Sequence, residues 1–155
     1  MDQQNPDYLQ DLENEIYLEP VSAGIRFANY IIDVIAFYIV VIIIGGIWGV
    51  LVVARGGTLE DIQAPTNNGL VVQYLIGAVL VVMYWTLFEG ATKGRTLGKL
   101  ITKTVAVKID GTPITFKEAF LRSLCRVIPL EPFSAFGGRP WHDTITKTMV
   151  IKKTK

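Results

Sequence analysis

Cysteine and histidine are nearly absent from this chain of 155 residues, which holds one of each, Cys125 and His142. A single cysteine excludes an intrachain disulfide, and the two residues together are too few for a cysteine–histidine metal cluster. Neither residue stands in a recognisable nucleophile–base arrangement. We therefore predict a protein that is not an enzyme and that needs no metal and no cofactor.

Basic residues are scarce in the first 89 residues, where only Arg26 and Arg55 stand against ten acidic side chains. Residues 90–155 reverse this balance with thirteen basic and four acidic side chains, so the net charge of +1 conceals a strong asymmetry. Because the basic segment directly follows an apolar stretch, the positive-inside rule and contact with anionic lipid headgroups explain it better than nucleic-acid binding does. We expect residues 90–155 to form a cytoplasmic tail and expect no nucleic-acid partner.

Charge is also missing from two long stretches, residues 34–54 and residues 69–88, which are mostly apolar. A helix of twenty residues is about 30 Å long, which matches the hydrocarbon core of a bilayer. The sequence therefore predicts an all-α membrane protein built on a two-helix transmembrane hairpin, with spans at about 24–54 and 69–88. Two spans place both termini on the cytoplasmic side of the membrane.

The segments that flank the spans are polar. Residues 1–20 carry six acidic and no basic side chains, which predicts an acidic N-terminal arm, either a solvated tail or a docking segment. Residues 55–68 form a loop that we place outside the cytoplasm. Residues 90–100 are rich in glycine and basic residues but lack the spacing of a phosphate-binding P-loop. We predict instead that Lys93, Arg95 and Lys99 contact lipid phosphates.

The cytoplasmic tail contains one predicted helix and two short strands. Residues 115–129 indicate an amphipathic helix that begins with a capping box of Thr115 and Glu118. Arg122 and Arg126 share one face of it, so we expect an interfacial helix along the cytoplasmic membrane surface, with both arginines at the headgroups. Residues 101–109 and 146–152 predict a short two-stranded β pair. Residues 127–136 are too short and too interrupted for a third span, whereas a re-entrant element stays open.

Three charged residues and their surroundings resemble the RDD family, which is named for one arginine and two aspartates. Arg26 stands at the start of the first apolar stretch, Asp33 inside it, and Asp143 in a Trp-His-Asp motif near the C-terminus. Further matches are TLGK at 96–99, VAV at 105–107 before an Asp-Gly turn, and TMVI at 148–151, so the resemblance covers residues 21–152. It implies a membrane domain at 21–155, a location in the cell inner membrane, and transport of unidentified ligands.

The same residues predict a charged site. Arg26, Asn29 and Asp33 are three and four residues apart, which puts them on one face of the first helix, where a carboxylate at the membrane needs a partner. We predict that Arg26, Asp33 and Asp143 meet at the cytoplasmic end of the hairpin and leave a net negative charge that holds a cation or exchanges a proton. The supporting residues that we expect around them are Asn29, Gln73, Trp141 and His142, the last titrating near neutrality.

Two functions follow from this site. The first is transport of a proton, a cation or an unidentified small solute; because two helices cannot enclose a pathway, it requires a homo-oligomer or a membrane partner protein. The second is a non-transporting accessory or assembly subunit, whose acidic arm or basic helix binds a protein or anionic lipid. In that alternative, Arg26 and Asp143 form a fixed ion pair that pins the tail to the hairpin, and Asp33 is hydrogen-bonded to Asn29 or Gln73.

Overall fold

The structure of the protein is a computed structural model that describes residues 19–67 and 69–153, with only the backbone described at residues 135 and 136. Most of the predicted acidic arm, residues 1–18, lies outside the described residues. The described chain begins with a short extended segment in which the Val21 amide donates to the Val150 carbonyl at 2.9 Å. The start of the chain is thus attached to its C-terminal part before the first helix begins.

Two long helices correspond to the two uncharged stretches. Helix α1 spans Ala23–Ala54 and helix α3 spans Gly69–Ala91, and both are long and apolar enough to cross a membrane. Between them, the predicted polar loop contains a short helix, α2, at Leu59–Gln63. The long helices contact each other through Phe37, whose ring centroid lies 5.5 Å from the ring centroids of Tyr84 and Trp85. The predicted positions of the two apolar helices are confirmed.

The C-terminal third folds into short elements around a two-stranded sheet. Helix α4 (Leu97–Ile101) precedes strand β1 (Thr104–Lys108), which pairs antiparallel with strand β2 (Thr148–Lys152), with Ala106 opposite Val150. The predicted β pair is therefore confirmed. The remaining elements are helix α5 (Phe116–Arg126), a 3-10 helix (Glu131–Gly137) and helix α6 (Trp141–Ile145). A small apolar core joins the sheet to α5 and consists of Ala106, Ile114, Ala119 and Val150.

Helix α5 is the predicted amphipathic helix, and the Thr115–Glu118 capping box begins it as expected. Its direction differs from the prediction. Phe116 packs on Gly90 at the end of α3, Arg126 lies over the ring of Trp85, and the Tyr74 hydroxyl donates to the Val127 carbonyl at 2.7 Å. Contacts that move backwards along α3 as they move forwards along α5 mean that the two helices run antiparallel. If α3 crosses a membrane, a helix antiparallel to it stands across that membrane and not flat on its surface.

The chain reverses direction after α5. Leu130 has a positive φ of 69°, and the 3-10 helix that follows contacts α1, α5 and α6. This path returns the chain to the first turns of α1, where α6 and β2 lie. Residues that are far apart in the sequence are thereby collected at one end of the two long helices.

Candidate functional site

Arg26 and Asp143, two of the three residues predicted to form a charged site, lie in direct contact. The Arg26 Nη1 atom donates to the Asp143 Oδ2 atom at 3.0 Å, and its Nε atom donates to the Val21 carbonyl at 3.1 Å. The two charged side chains are 8% and 0% exposed. Arg26 comes from the second turn of α1 and Asp143 from α6, so this ion pair connects the first apolar helix to the C-terminal segment.

Asp143 has a second cationic partner, Arg122 of α5. The Arg122 guanidinium donates to Asp143 and to the Thr148 hydroxyl through Nη1, and to the Glu89 Oε2 atom through Nε at 2.9 Å. Burial would raise the pKa of Asp143, but Arg122 and the other nearby cationic groups lower it to about 2. Burial in turn would lower the pKa of Arg122, and the two carboxylates raise it. Both groups are therefore charged at neutral pH.

Glu89, the one charged residue of α3, is the second anionic centre of the site. Its carboxylate is fully buried and accepts hydrogen bonds from Lys99 at 2.6 Å, from Arg122, and from Arg126 at 2.8 Å. Burial lowers the pKa of Lys99 to about 8, against the opposing effect of Glu89. We refer to the connected groups as the charge network, which consists of Arg26, Glu89, Lys99, Arg122, Arg126 and Asp143.

The charge network is cationic. Four cationic groups face two carboxylates, so the network carries a net charge of +2 when all six groups are ionised. The predicted net negative charge was that of Arg26, Asp33 and Asp143, and Asp33 is bonded outside this network. The network is cationic because basic residues of the tail fold inwards onto Glu89 and Asp143. The prediction that Lys99, Arg122 and Arg126 contact lipid headgroups is accordingly wrong for Lys99 and Arg122, which are buried, and Arg126 is 12% exposed.

Asp33, the third predicted residue, is buried but bonds elsewhere. Its carboxylate accepts the Thr96 hydroxyl at 2.5 Å and the Gly98 amide at 2.7 Å, both at the N-terminus of α4. Gly98 is required here, because a Cβ at this position would lie 2.3 Å from the Asn29 carbonyl oxygen. Asp33 therefore holds the chain after α3 against α1 and, within the described part of the chain, is not bonded to Arg26 or Asp143.

The predicted supporting residues have roles that differ from the expected ones. Asn29 donates to the Thr104 hydroxyl at 3.1 Å and accepts from the Thr102 hydroxyl at 2.5 Å, so it stabilises the same segment as Asp33. Gln73 donates to the Thr66 carbonyl at 2.6 Å at the opposite end of the hairpin. The interpretation that either amide is the partner of Asp33 is wrong. Trp141 has an exposed side chain, and its backbone amide donates to the Ser134 hydroxyl.

His142 pairs with the carboxylate of Glu131, a residue that no sequence motif singles out. The His142 Nδ1 atom lies 2.5 Å from the Glu131 Oε1 atom. Burial and the neighbouring Arg126 lower the pKa of His142 to about 4, so the ring is neutral at pH 7 and its Nδ1–H donates to Glu131. The prediction that His142 titrates near neutrality is wrong.

A cavity of about 200 Å³ lies beside the charge network. Arg26, Asp33 and Asp143 all contribute to its wall, so the three predicted residues share one cavity although Asp33 is bonded separately. The cavity also has apolar lining residues, among them Phe27 and Phe133. The other polar residues that line the cavity are Asn29, Tyr30, Lys99, Arg126, Glu131 and His142.

Some functional residues were missed because their sequence signals are weak. Glu89 is the first charge after the second apolar stretch, a position typical of a simple helix end. Thr96 and Thr148 belong to the TLGK and TMVI motifs, and nothing in these motifs indicates the hydrogen-bond partners of the two hydroxyls. Lys93 is exposed and Arg95 is half-buried, so Lys93 keeps the predicted surface position. Among residues 19–67 and 69–153, no group of three His, Cys, Asp or Glu side chains is placed to hold a metal ion.

One of three comparisons with known proteins bears out the resemblance to the RDD family. The model of the RDD family matches residues 20–149, which include Arg26, Asp33 and Asp143. Neither the curated proteins nor the solved structures contain a match to this chain.

Proposed function

This chain belongs to the RDD family, and we propose that it is a multi-pass protein of the cell inner membrane whose cavity takes part in transport of a proton, a cation or a small solute. Two apolar helices support the membrane location. The thirteen basic residues after residue 89 support a cytoplasmic position for both termini. In this orientation the cavity lies at the cytoplasmic end of the hairpin.

The observation that carries the transport proposal is the cavity itself. Pockets for drug-sized ligands have volumes of about 300–1,000 Å³. A cavity of about 200 Å³ is smaller, so it suits an ion or a small solute better than a large metabolite. Its wall combines charged groups of both signs with apolar side chains, and an intramembrane ionisable residue is commonly part of an ion or substrate pathway.

Within this site we assign different roles to the two aspartates. Asp143 is bonded to two arginines, so we propose that it belongs to a fixed framework. Asp33 accepts hydrogen bonds from a hydroxyl and an amide and lines the cavity, so it is the carboxylate that we propose exchanges a proton or binds a cation. We propose no catalytic role for either residue.

Transport by this protein requires more than one copy or a partner, because two helices enclose no pathway. The middle of α1 suits helix association. Gly45 and Gly49 are four residues apart, and a Cβ at Gly45 would have no atom within 4 Å among the described residues. Such a small-xxx-small face permits close approach of a second helix. We therefore propose a homo-oligomer that associates along α1.

Flux in proteoliposomes tests the transport proposal. Purified protein should move protons or an alkali cation, and Asp33→Asn should abolish the flux while Glu60→Gln, an exposed carboxylate of α2, should preserve it. Elution as a single species and an unchanged unfolding temperature would show that Asp33→Asn still folds. Absence of flux from wild-type protein for protons, sodium and potassium would rule out transport of a proton or an alkali cation.

The alternative function, a non-transporting accessory or assembly subunit, has an observation of its own. The charge network is buried and connects α1, α3, α5 and α6, as expected if its role is only to hold these helices together. Crosslinking in native membranes separates the two functions. Abundant self-crosslinks through α1 favour the oligomeric transporter, whereas one dominant foreign partner favours the subunit. Exposed Lys93 is the residue that we propose contacts anionic lipid headgroups in either case.

A further inference from the structure

The polar face of helix α5 is buried and its apolar face is exposed, the reverse of a helix at a water-exposed surface. Its polar face is internal, with Arg122 and Ser123 at 0% exposure. Its apolar face is external, where Phe116, Phe120 and Leu124 are 57%, 42% and 43% exposed. A helix at a water-exposed surface has the reverse arrangement, with charges outside and aromatic residues inside.

A hydrocarbon environment explains this inversion. In lipid, charged side chains face the protein interior and pair with one another, as Arg122 does with Glu89 and Asp143. Apolar side chains lose nothing by facing acyl chains.

The path of α5 carries it away from the end of α3 and towards the middle of that helix. Phe116 lies at Gly90, and Val127 accepts a hydrogen bond from Tyr74, sixteen residues further back along α3 than Gly90. Helices rise about 1.5 Å per residue, so Leu124 lies roughly 12 Å further along the axis of α5 than Phe116. Where α3 crosses the membrane, this displacement is mostly displacement in depth.

The exposed apolar surface continues beyond α5. Ile128, Leu130 and Phe133 are 42%, 68% and 65% exposed on the turn and on the 3-10 helix, at the far end of this path. On helix α3, against which α5 packs, Met83 and Leu87 are exposed as well. The exposed apolar side chains of α5, of the turn and of α3 all favour an apolar environment over water.

We propose that residues 116–137 form a re-entrant membrane element whose exposed apolar face is covered by lipid acyl chains. The element enters beside the end of α3, reaches towards the middle of the bilayer at Leu130, and returns through the 3-10 helix to α6. The charge network then lies below the headgroups, shielded from water on the side of α5. The inference rests on α3 spanning the membrane and is independent of whether the cavity transports anything.

Spin-label depth measurements test the proposal. Single cysteines at Phe116, Phe120 and Leu124 would be introduced into a Cys125→Ser background, with exposed Thr112 as the aqueous control. In bilayers, the ratio of accessibility to oxygen over accessibility to a water-soluble nickel chelate should rise in the order 116, 120, 124. The total change in depth should be about 12 Å. Thr112 should remain accessible to the chelate.

Three other results of the spin-label measurement would overturn the proposal. Equal depths at 116, 120 and 124 would mean that α5 lies flat on the surface. Access of the chelate to all three labels would mean an aqueous face, and protection from both oxygen and chelate would mean that protein covers it. A measurement on the unmodified protein removes any dependence on folding of the cysteine variants. Lipids that carry a nitroxide at the chain end should broaden backbone NMR signals at Leu130 more strongly than at Lys117, and equal broadening would also refute the insertion.

Discussion

Replacement of Glu89 by Gln gives the sharpest test of the charge network. Glu89 is fully buried and bonded to three cationic groups, Lys99, Arg122 and Arg126, at 2.6–2.9 Å. The substitution preserves size but removes the negative charge. The six-residue network then changes from two carboxylates facing four cationic groups to one carboxylate facing four. Because these cationic groups cannot regain water without unfolding, the folded state should be strongly destabilised.

The magnitude follows from the cost of an unpaired buried charge. Removing one partner of a buried ion pair costs about 3–5 kcal/mol. We expect Glu89→Gln to lower the free energy of unfolding by at least about 3 kcal/mol, since two of its three partners are almost fully buried. The unfolding temperature should fall by on the order of 10 °C. Glu60→Gln, the same change at an exposed position of α2, should alter stability by less than about 0.5 kcal/mol.

Tryptophan fluorescence during unfolding in bicelles measures both variants, because Trp85 lies 5.8 Å below the Arg126 guanidinium and reports on this region. A double-mutant cycle with Lys99→Met gives a second test. Lys99→Met should lower the free energy of unfolding of the wild-type protein. In the Glu89→Gln background the loss should be smaller, because the lysine there has already lost its carboxylate partner, and the coupling free energy should exceed about 0.5 kcal/mol. Equal effects of Glu89→Gln and Glu60→Gln, or additive effects of Glu89→Gln and Lys99→Met, would refute the reasoning.

Three further perturbations test the surroundings of the network. Because the pKa of Asp143 is lowered to about 2 in the folded protein, its contribution to stability should be complete above about pH 4 and lost as the pH falls from there through 2. Thermal unfolding at several pH values should show this loss of stability in wild-type protein and not in Asp143→Asn. Parallel curves of unfolding temperature against pH for the two proteins would contradict this expectation. The lowered pKa of His142, about 4, means that the unfolded chain binds the proton more tightly, so stability should also fall between about pH 6.5 and 4. NMR of this imidazole, in protein without a histidine tag, should show no titration between pH 6 and 8, and a midpoint there would disprove the neutral Glu131 pair. Gly98→Ala should lower the free energy of unfolding by about 1–3 kcal/mol, because the new Cβ would lie 2.3 Å from the Asn29 carbonyl oxygen. Gly77→Ala, with no atom near its Cβ among the described residues, should be neutral or stabilising, and similar losses in both variants would contradict the close packing of α4 on α1.

The behaviour of the basic residues shows why charge patterns have limited predictive value in this chain. Lys93 and Lys99 stand six residues apart in the same glycine-rich segment, and the charge pattern predicts contact with lipid headgroups for both. Lys93 is exposed, whereas Lys99 is buried against Glu89. Nothing in their immediate neighbours distinguishes them. The difference arises because α4 docks on α1 through Asp33 and Gly98, which turns Lys99 towards the end of α3.

The sequence by itself determined the features that depend on neighbouring residues. Two uncharged stretches of about twenty residues determined α1 and α3, because in lipid only a helix satisfies every backbone group within a single segment. The Thr115–Glu118 spacing determined the start of α5, and β-branched alternation determined the two strands. It also indicated that Arg26 and Asp143 belong to one site, through the resemblance to a family whose model matches the chain.

Only the tertiary structure decided which charges pair and which way α5 runs. Arg26 meets Asp143 across 117 positions, Gly98 meets Asp33 across 65, and Arg122 meets Glu89 across 33. Such partners are selected by the geometry of packing and by the cost of leaving a buried charge unpaired, and neither is encoded in local periodicity. The same cost turns the charged face of α5 towards α3 and leaves its aromatic residues outside. An amphipathic pattern defines two faces of a helix, and the surrounding medium and partners decide which of them is buried.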